Sequence, residues 1–126
     1  MNGNRLFVDT NILLYYLKGN EDVVELIVDK DLIISFITEI EILAFPNLAP
    51  NTLVQIKELF SLCTIMDLER GIKDLTIEIK IKYKLKIPDA IIAASAQYYN
   101  LPLITADKAF RKLKDQNIVF YEMDSE

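Results

Sequence analysis

At 126 residues, 52% of them apolar and 26% charged, with a net charge of −5, the chain has the composition of one ordinary globular domain over residues 1–126. It contains no histidine, which excludes Ser-His-Asp and Cys-His nucleophilic sites and histidine-ligated zinc or iron, and its 3 glycines are too few for a glycine-rich phosphate loop. A lone cysteine, Cys63, excludes an internal disulfide framework, and no apolar run reaches the roughly 20 residues of a membrane span.

Arg5 to Val8 reads as a short buried strand that delivers Asp9. Thr10 or Asn11 is placed to cap the helix that follows, Ile12 to Leu17, which stops near Gly19 and Asn20. Glu21 to Val28 has acids early and valine and isoleucine at helical spacing. Leu32 to Phe36 has strand length and β-branched composition. Thr38 then reads as a helix cap with Glu41 three residues on, a capping-box pattern, and Pro46 ends that helix. Thr52 to Leu62 is predicted helical and Cys63 to Met66 a third strand.

Strict alternation over Thr76 to Lys86 is by itself a strand pattern. As a helix starting at Glu69, the same stretch carries an apolar stripe of Ile72, Leu75, Ile79 and Tyr83 and a second, opposite stripe of Ile77, Ile81 and Leu85. The surrounding β–α alternation favours the helix, and the second stripe then needs a partner surface, expected to be a subunit interface. Pro88 suits the first turn of a helix from Asp89 to Tyr99, which Asn100 closes. Leu103 to Thr105 is a strand, Asp107 to Leu113 a helix, and Ile118 to Tyr121 a final strand before an acidic tail. Such alternation predicts an α/β fold of three layers, α/β/α, around a small central parallel sheet.

In open parallel sheets, sites form at the carboxyl ends of strands. Asp9 follows the first strand, Asp107 closely follows the strand ending at Thr105, Glu41 lies about one turn into the helix after the second strand, and Asp89 opens a helix. Each aspartate alone is explained by helix capping, and Glu41 by the capping box. Together they describe an acidic cluster at one sheet edge, and Asp67, after the third strand, obeys the same rule. Crowded carboxylates repel unless a cation compensates them, and Mg²⁺ or Mn²⁺ prefers such hard oxygen donors. The chemistry that suits these donors is phosphodiester hydrolysis. The negative net charge argues against nucleic acid only weakly, since bound cations would reverse the local sign. Lysines gather at Lys73 to Lys86, with further basic residues at Lys108, Arg111, Lys112 and Lys114, and most of these read as solvated helix faces.

The segments Val8–Asn11, Ser35–Leu43, Ile87–Ala96 and Leu101–Phe110 resemble, in order and over nearly the whole chain, those of a PIN domain, and more narrowly a VapC-type toxin of a toxin–antitoxin pair. The resemblance selects Asp9, Glu41, Asp89 and Asp107 as the metal-binding catalytic acids and leaves Asp67 out. It assigns Thr10, Asn11 and Thr105 as supporting polar groups. It implies a PIN-like fold, a homodimer, Mg²⁺- or Mn²⁺-dependent endoribonuclease activity on RNA, and an antitoxin partner whose tail covers the site. Two positions depart from the family pattern: Ala44-Phe45-Pro46 replaces a common glycine, and Ala106 stands where many members carry a basic or polar residue. Residues 1–5 lack the basic start and apolar stretch of a signal peptide, so a cytoplasmic location is expected, with no membrane association.

Two other readings compete. A haloacid-dehalogenase-type phosphatase would use Asp9 as nucleophile, but Asn11 occupies the place of its usual second acid. A catalytically silent PIN-like module, binding RNA or protein, is disfavoured by the four intact acids.

Overall fold

The computed structural model describes residues 4–122. Five strands, β1 (Arg5–Val8), β2 (Asp31–Ser35), β3 (Cys63–Met66), β4 (Leu103–Thr105) and β5 (Ile118–Phe120), form one sheet in the order β3-β2-β1-β4-β5. Every neighbouring pair is parallel, and Phe7 at the centre is flanked by Ile33 on one side and Leu103 on the other. Successive side chains of a strand point to opposite faces, and the core divides accordingly. Phe7, Ile33 and Leu103 face one layer, while Leu6, Val8, Leu32, Ile34 and Ile104 face the other. Burial on both faces explains why these strands read as continuous apolar runs.

Among the described residues six helices cover the sheet: α1 (Thr10–Leu17), α2 (Glu21–Ile27), α3 (Phe36–Leu43), α4 (Pro50–Ser61), α5 (Arg70–Tyr83) and α6 (Ile87–Tyr98). Ile12, Leu13, Val23, Ile27, Ile42, Ile56 and Leu59 from α1 to α4 fill one layer, and Ile72, Ile79 and the alanine-rich face of α6 fill the other. This is the three-layer α/β/α fold that the strand–helix alternation predicts. Small residues let α6 approach its neighbours closely: Ala90, Ala93, Ala94 and Ala96 are all buried, and a Cβ at Gly71 on α5 would collide with the Tyr98 ring. Among the described residues no helix is long and apolar enough to cross a membrane.

Several local expectations are corrected. Helix α3 is capped by Ser35, whose side chain accepts from the Ile37 N–H at 3.0 Å, so Thr38 lies inside the helix and no capping box forms with Glu41. Asp9, rather than Thr10 or Asn11, caps α1. The segment after Asp107 is a short 3-10 turn, Lys108–Lys112, instead of an α-helix. The alternating segment is helical, as its β–α context demands, but only to Tyr83. Lys84 adopts a left-handed backbone (φ 58°) that ends α5, and Leu85 then turns into the core. The expected outer stripe therefore loses Leu85, whereas Ile77 and Ile81 stay 53% and 74% exposed.

The strand order locates the site. The chain runs outward from β1 through β2 to β3, then crosses back to β4 on the other side of β1. After β1 the chain enters α1 in one layer, and after β4 it enters the turn that buries Phe110 in the opposite layer. The two connections diverge just beyond the carboxyl ends of β1 and β4, opening the crevice where ligands bind in such sheets.

Candidate active site

Asp9 sits at the mouth of that crevice and is 5% exposed. Both of its carboxylate oxygens are engaged: Oδ1 accepts from the Thr10 N–H at 2.7 Å and Oδ2 from the Thr105 hydroxyl at 2.6 Å. Thr105, the buried last residue of β4, also accepts from the Asp107 N–H at 3.0 Å, so one hydroxyl ties Asp9 to the Asp107 backbone. Asp107 in turn caps the 3-10 turn, its Oδ1 accepting from the Ala109 N–H at 2.9 Å. Asn11 pins the same loop from the other side, its Oδ1 accepting from the Ala106 N–H at 3.3 Å.

A second set of contacts orients Glu41. The Thr10 hydroxyl lies 2.6 Å from Glu41 Oε1 and 2.9 Å from the Thr38 hydroxyl. An ionised carboxylate can only accept and Thr10 has a single hydroxyl proton. Thr10 therefore donates to Glu41 and receives from Thr38. Thr38 is fully buried and three residues before Glu41, so both project from the same face of α3 toward α1. Sequence reasoning missed this role because the spacing of Thr38 and Glu41 is also that of a capping box.

Asp9, Glu41, Asp89 and Asp107 line one cleft of about 360 Å³ together with Thr10, Asn11, Leu14 and Phe45. Thr105 lies beneath it, and Asp67 does not line it. The reason is topological: β3 is an edge strand two places from β1, so its carboxyl end lies on the same sheet edge but two strands from the crevice. Electrostatics couple the members. Burial, outweighing the Thr105 and Thr10 hydrogen bonds and reinforced by repulsion from Asp89 and Asp107, pushes the Asp9 carboxyl up to about 6. Asp89 is raised by burial and by the charges of Asp107 and Glu41, with the Lys86 cation opposing. Lys86, three residues before Asp89, is a neighbour of the site that the reading of lysines as solvated faces passed over.

The protein's own hydrogen bonds hold the carboxylates around the cleft without closing them on one point. Among the described residues no three acids form a ready-made metal-holding group. The donors nevertheless fit a hard divalent cation in two respects: all are carboxylate oxygens, and two of the acids carry the elevated proton affinity that a nearby cation would lower.

A PIN domain model matches residues 6–116, and the chain belongs to the PIN domain family. Ribonuclease VapC2 of Methanocaldococcus jannaschii is 30% identical, with 94% of this chain and 95% of that protein covered. A toxin–antitoxin complex from Klebsiella pneumoniae contains a chain of 29% identity and TM-score 0.83, covering 94% of this chain and 99% of its own length. VapBC2 from Rickettsia felis, solved with a DNA fragment from its promoter, shares the fold with a TM-score of 0.79 at 18% identity, over 94% of this chain and 99% of that one.

Proposed function

We propose that the chain is an Mg²⁺- or Mn²⁺-dependent endoribonuclease, the toxin of a toxin–antitoxin pair acting in the cytoplasm as a homodimer. The observation that carries the activity is the convergence of Asp9, Glu41, Asp89 and Asp107, drawn from four distant parts of the chain, on one cleft at the sheet's switch point. The ribonuclease relative and the toxin–antitoxin relative, each covered nearly end to end, support the substrate and an antitoxin partner. The homodimer rests on Leu68, Ile77, Ile81 and Ile87, an apolar face 44% to 74% exposed.

Bound among these carboxylates, a divalent cation would supply Lewis-acid polarisation of the phosphate and a lower pKa for attacking water. The chain's own groups do the rest. Thr105 and the Thr10 N–H fix the Asp9 carboxylate in one orientation, and Thr10, backed by Thr38, fixes Glu41, so neither has to reorganise when charge develops. Leu14 and Phe45 supply the apolar part of the cleft's lining. Against phosphatase chemistry at Asp9, the place of the second acid is held by Asn11, whose amide oxygen is engaged by the Ala106 N–H.

Cleavage of structured RNA with Mn²⁺, with EDTA, and by the Asp89→Asn variant tests this reading. The parent should cut only with metal, and the variant should be slower by about a hundredfold or more, the scale of losing a metal-site group. Equal rates for parent and variant, or cleavage persisting in EDTA, would overturn the assignment.

A further inference from the structure

Beside the acid cleft lies a second hollow, of about 350 Å³, lined by Tyr15, Ala106, Lys108, Arg111, Phe120 and Tyr121, with Glu122 at its edge. The two are lined by neighbouring residues. Ala106 and Lys108 bracket Asp107 in sequence, and Tyr15 lies one helical turn beyond Asn11, on the same side of α1. Between them the Ala106 N–H donates to Asn11 Oδ1 at 3.3 Å.

The hollow combines flat apolar surface with positive charge. Tyr121 is held at both ends, its N–H donating to the Thr105 carbonyl at 2.8 Å and its hydroxyl to Asn20 at 3.4 Å, and its ring leans on Tyr15 at 6.3 Å between centroids. Phe120, on the edge strand β5, is 36% exposed, a large aromatic left in water next to a catalytic cleft. The Arg111 guanidinium lies over this ring at 5.6 Å and is steadied by Glu122 at 2.7 Å. Lys108 is exposed and has no ion pair among the described residues. Rigid aromatic faces alternating with cations are what a single strand of nucleic acid binds, through base stacking and phosphate contact without sequence readout. Such cations also add to the attraction that a bound divalent ion would give an acidic protein for a polyanion.

Resting on the ribonuclease reading, we infer that this hollow receives the nucleotide next to the one being cut, with its base stacked on the Phe120–Arg111 pair and its phosphate at Lys108.

The test is binding of a fluorescein-labelled 12-nucleotide single-stranded RNA to the inactive Asp9→Asn protein in Mg²⁺, read by anisotropy. Adding Phe120→Ala, or Phe120→Leu to keep apolar bulk and fold, should weaken binding about five- to tenfold, the lower range for loss of one stacked base. Phe120→Tyr should restore it. Lys108→Ala should weaken binding and reduce the slope of log affinity against log salt by about one. An abasic oligonucleotide of equal length should be insensitive to Phe120→Leu. Binding unchanged within twofold in both Phe120→Leu and Lys108→Ala overturns the inference and leaves the hollow to a protein segment. Cleavage by the parent is scored separately. An active nuclease indifferent to Phe120 overturns only this inference, and a protein that binds through Phe120 without cutting overturns the ribonuclease reading.

Discussion

The acid cleft and the outer face of α5 and α6 both hold the molecule above its lowest free energy, and they do so in opposite ways. In the cleft, polar groups are taken out of water. Every buried side-chain nitrogen or oxygen among the described residues has a hydrogen-bond partner, so the cost there is buried carboxylate charge, reinforced by like-charge repulsion, not unmet bonds. On the helical face, apolar groups are left in water: Leu68, Ile77, Ile81 and Ile87 line a shallow apolar groove flanked by Lys73 and Lys80. The first cost is relieved by a cation and the second by another apolar surface. The cleft should therefore respond to pH and divalent ions, and the face to protein concentration.

The largest expected effect separates the two by pH. Asp9 ionises near 6 in the folded protein against 3.8 for the free group. Below about pH 4 both states carry the proton and no penalty exists. As pH rises from 4 through 6 the unfolded chain releases its proton first, so stability falls, and the full loss, about 3 kcal/mol, is present by pH 7. Asp9→Asn removes this dependence and adds a constant cost, on the order of 1 kcal/mol, because the amide cannot accept both existing bonds. Denaturant unfolding in EDTA should show the variant gaining on the parent by about 2–3 kcal/mol between pH 4 and 7. A difference independent of pH would remove buried charge as the cleft's defining strain.

A slightly smaller effect comes from adding the cation. Mg²⁺ or Mn²⁺ at about a hundred times its dissociation constant should stabilise the parent by about 2.7 kcal/mol, through binding the native state alone. Asp89→Asn should lose most of that gain while Ile81→Glu keeps it. Thermal melts with and without the ion decide this, and an equal gain in Asp89→Asn would place the ion elsewhere.

The same contrast explains what could be seen in the sequence. The strands were legible because both faces of Phe7–Val8, Leu32–Ile34 and Leu103–Ile104 are buried, which leaves apolar runs no other element needs. Asp9 and Asp107 were legible because the ends of β1 and β4 are visible as the ends of those runs. Asp67 met the same local test, and only strand order, a long-range property, puts it outside the cleft. Thr38 was hidden because one spacing serves both a capping box and a hydroxyl backing Glu41 through Thr10. Leu85 was misplaced because periodicity does not show where a helix stops. The left-handed backbone at Lys84 turns Leu85 inward without the glycine that usually marks such an end.

The smallest effect on stability is the most informative about the helical face. Ile81 is 74% exposed, so Ile81→Glu should change the stability of an isolated subunit by no more than about 0.5 kcal/mol. In a homodimer that buries this face, the same change places a charge in an apolar contact twice, once from each subunit of a two-fold pair. Sedimentation at micromolar concentration should then find the parent dimeric and Ile81→Glu monomeric. Val54→Glu, on α4 in the opposite layer and 55% exposed, should stay dimeric. A monomeric parent, or an Ile81→Glu protein that stays dimeric, would remove self-association as the relief for this face. Loss of the dimer in both variants would show that any added charge dissociates it, and that the contrast between the two helical layers has no bearing on assembly.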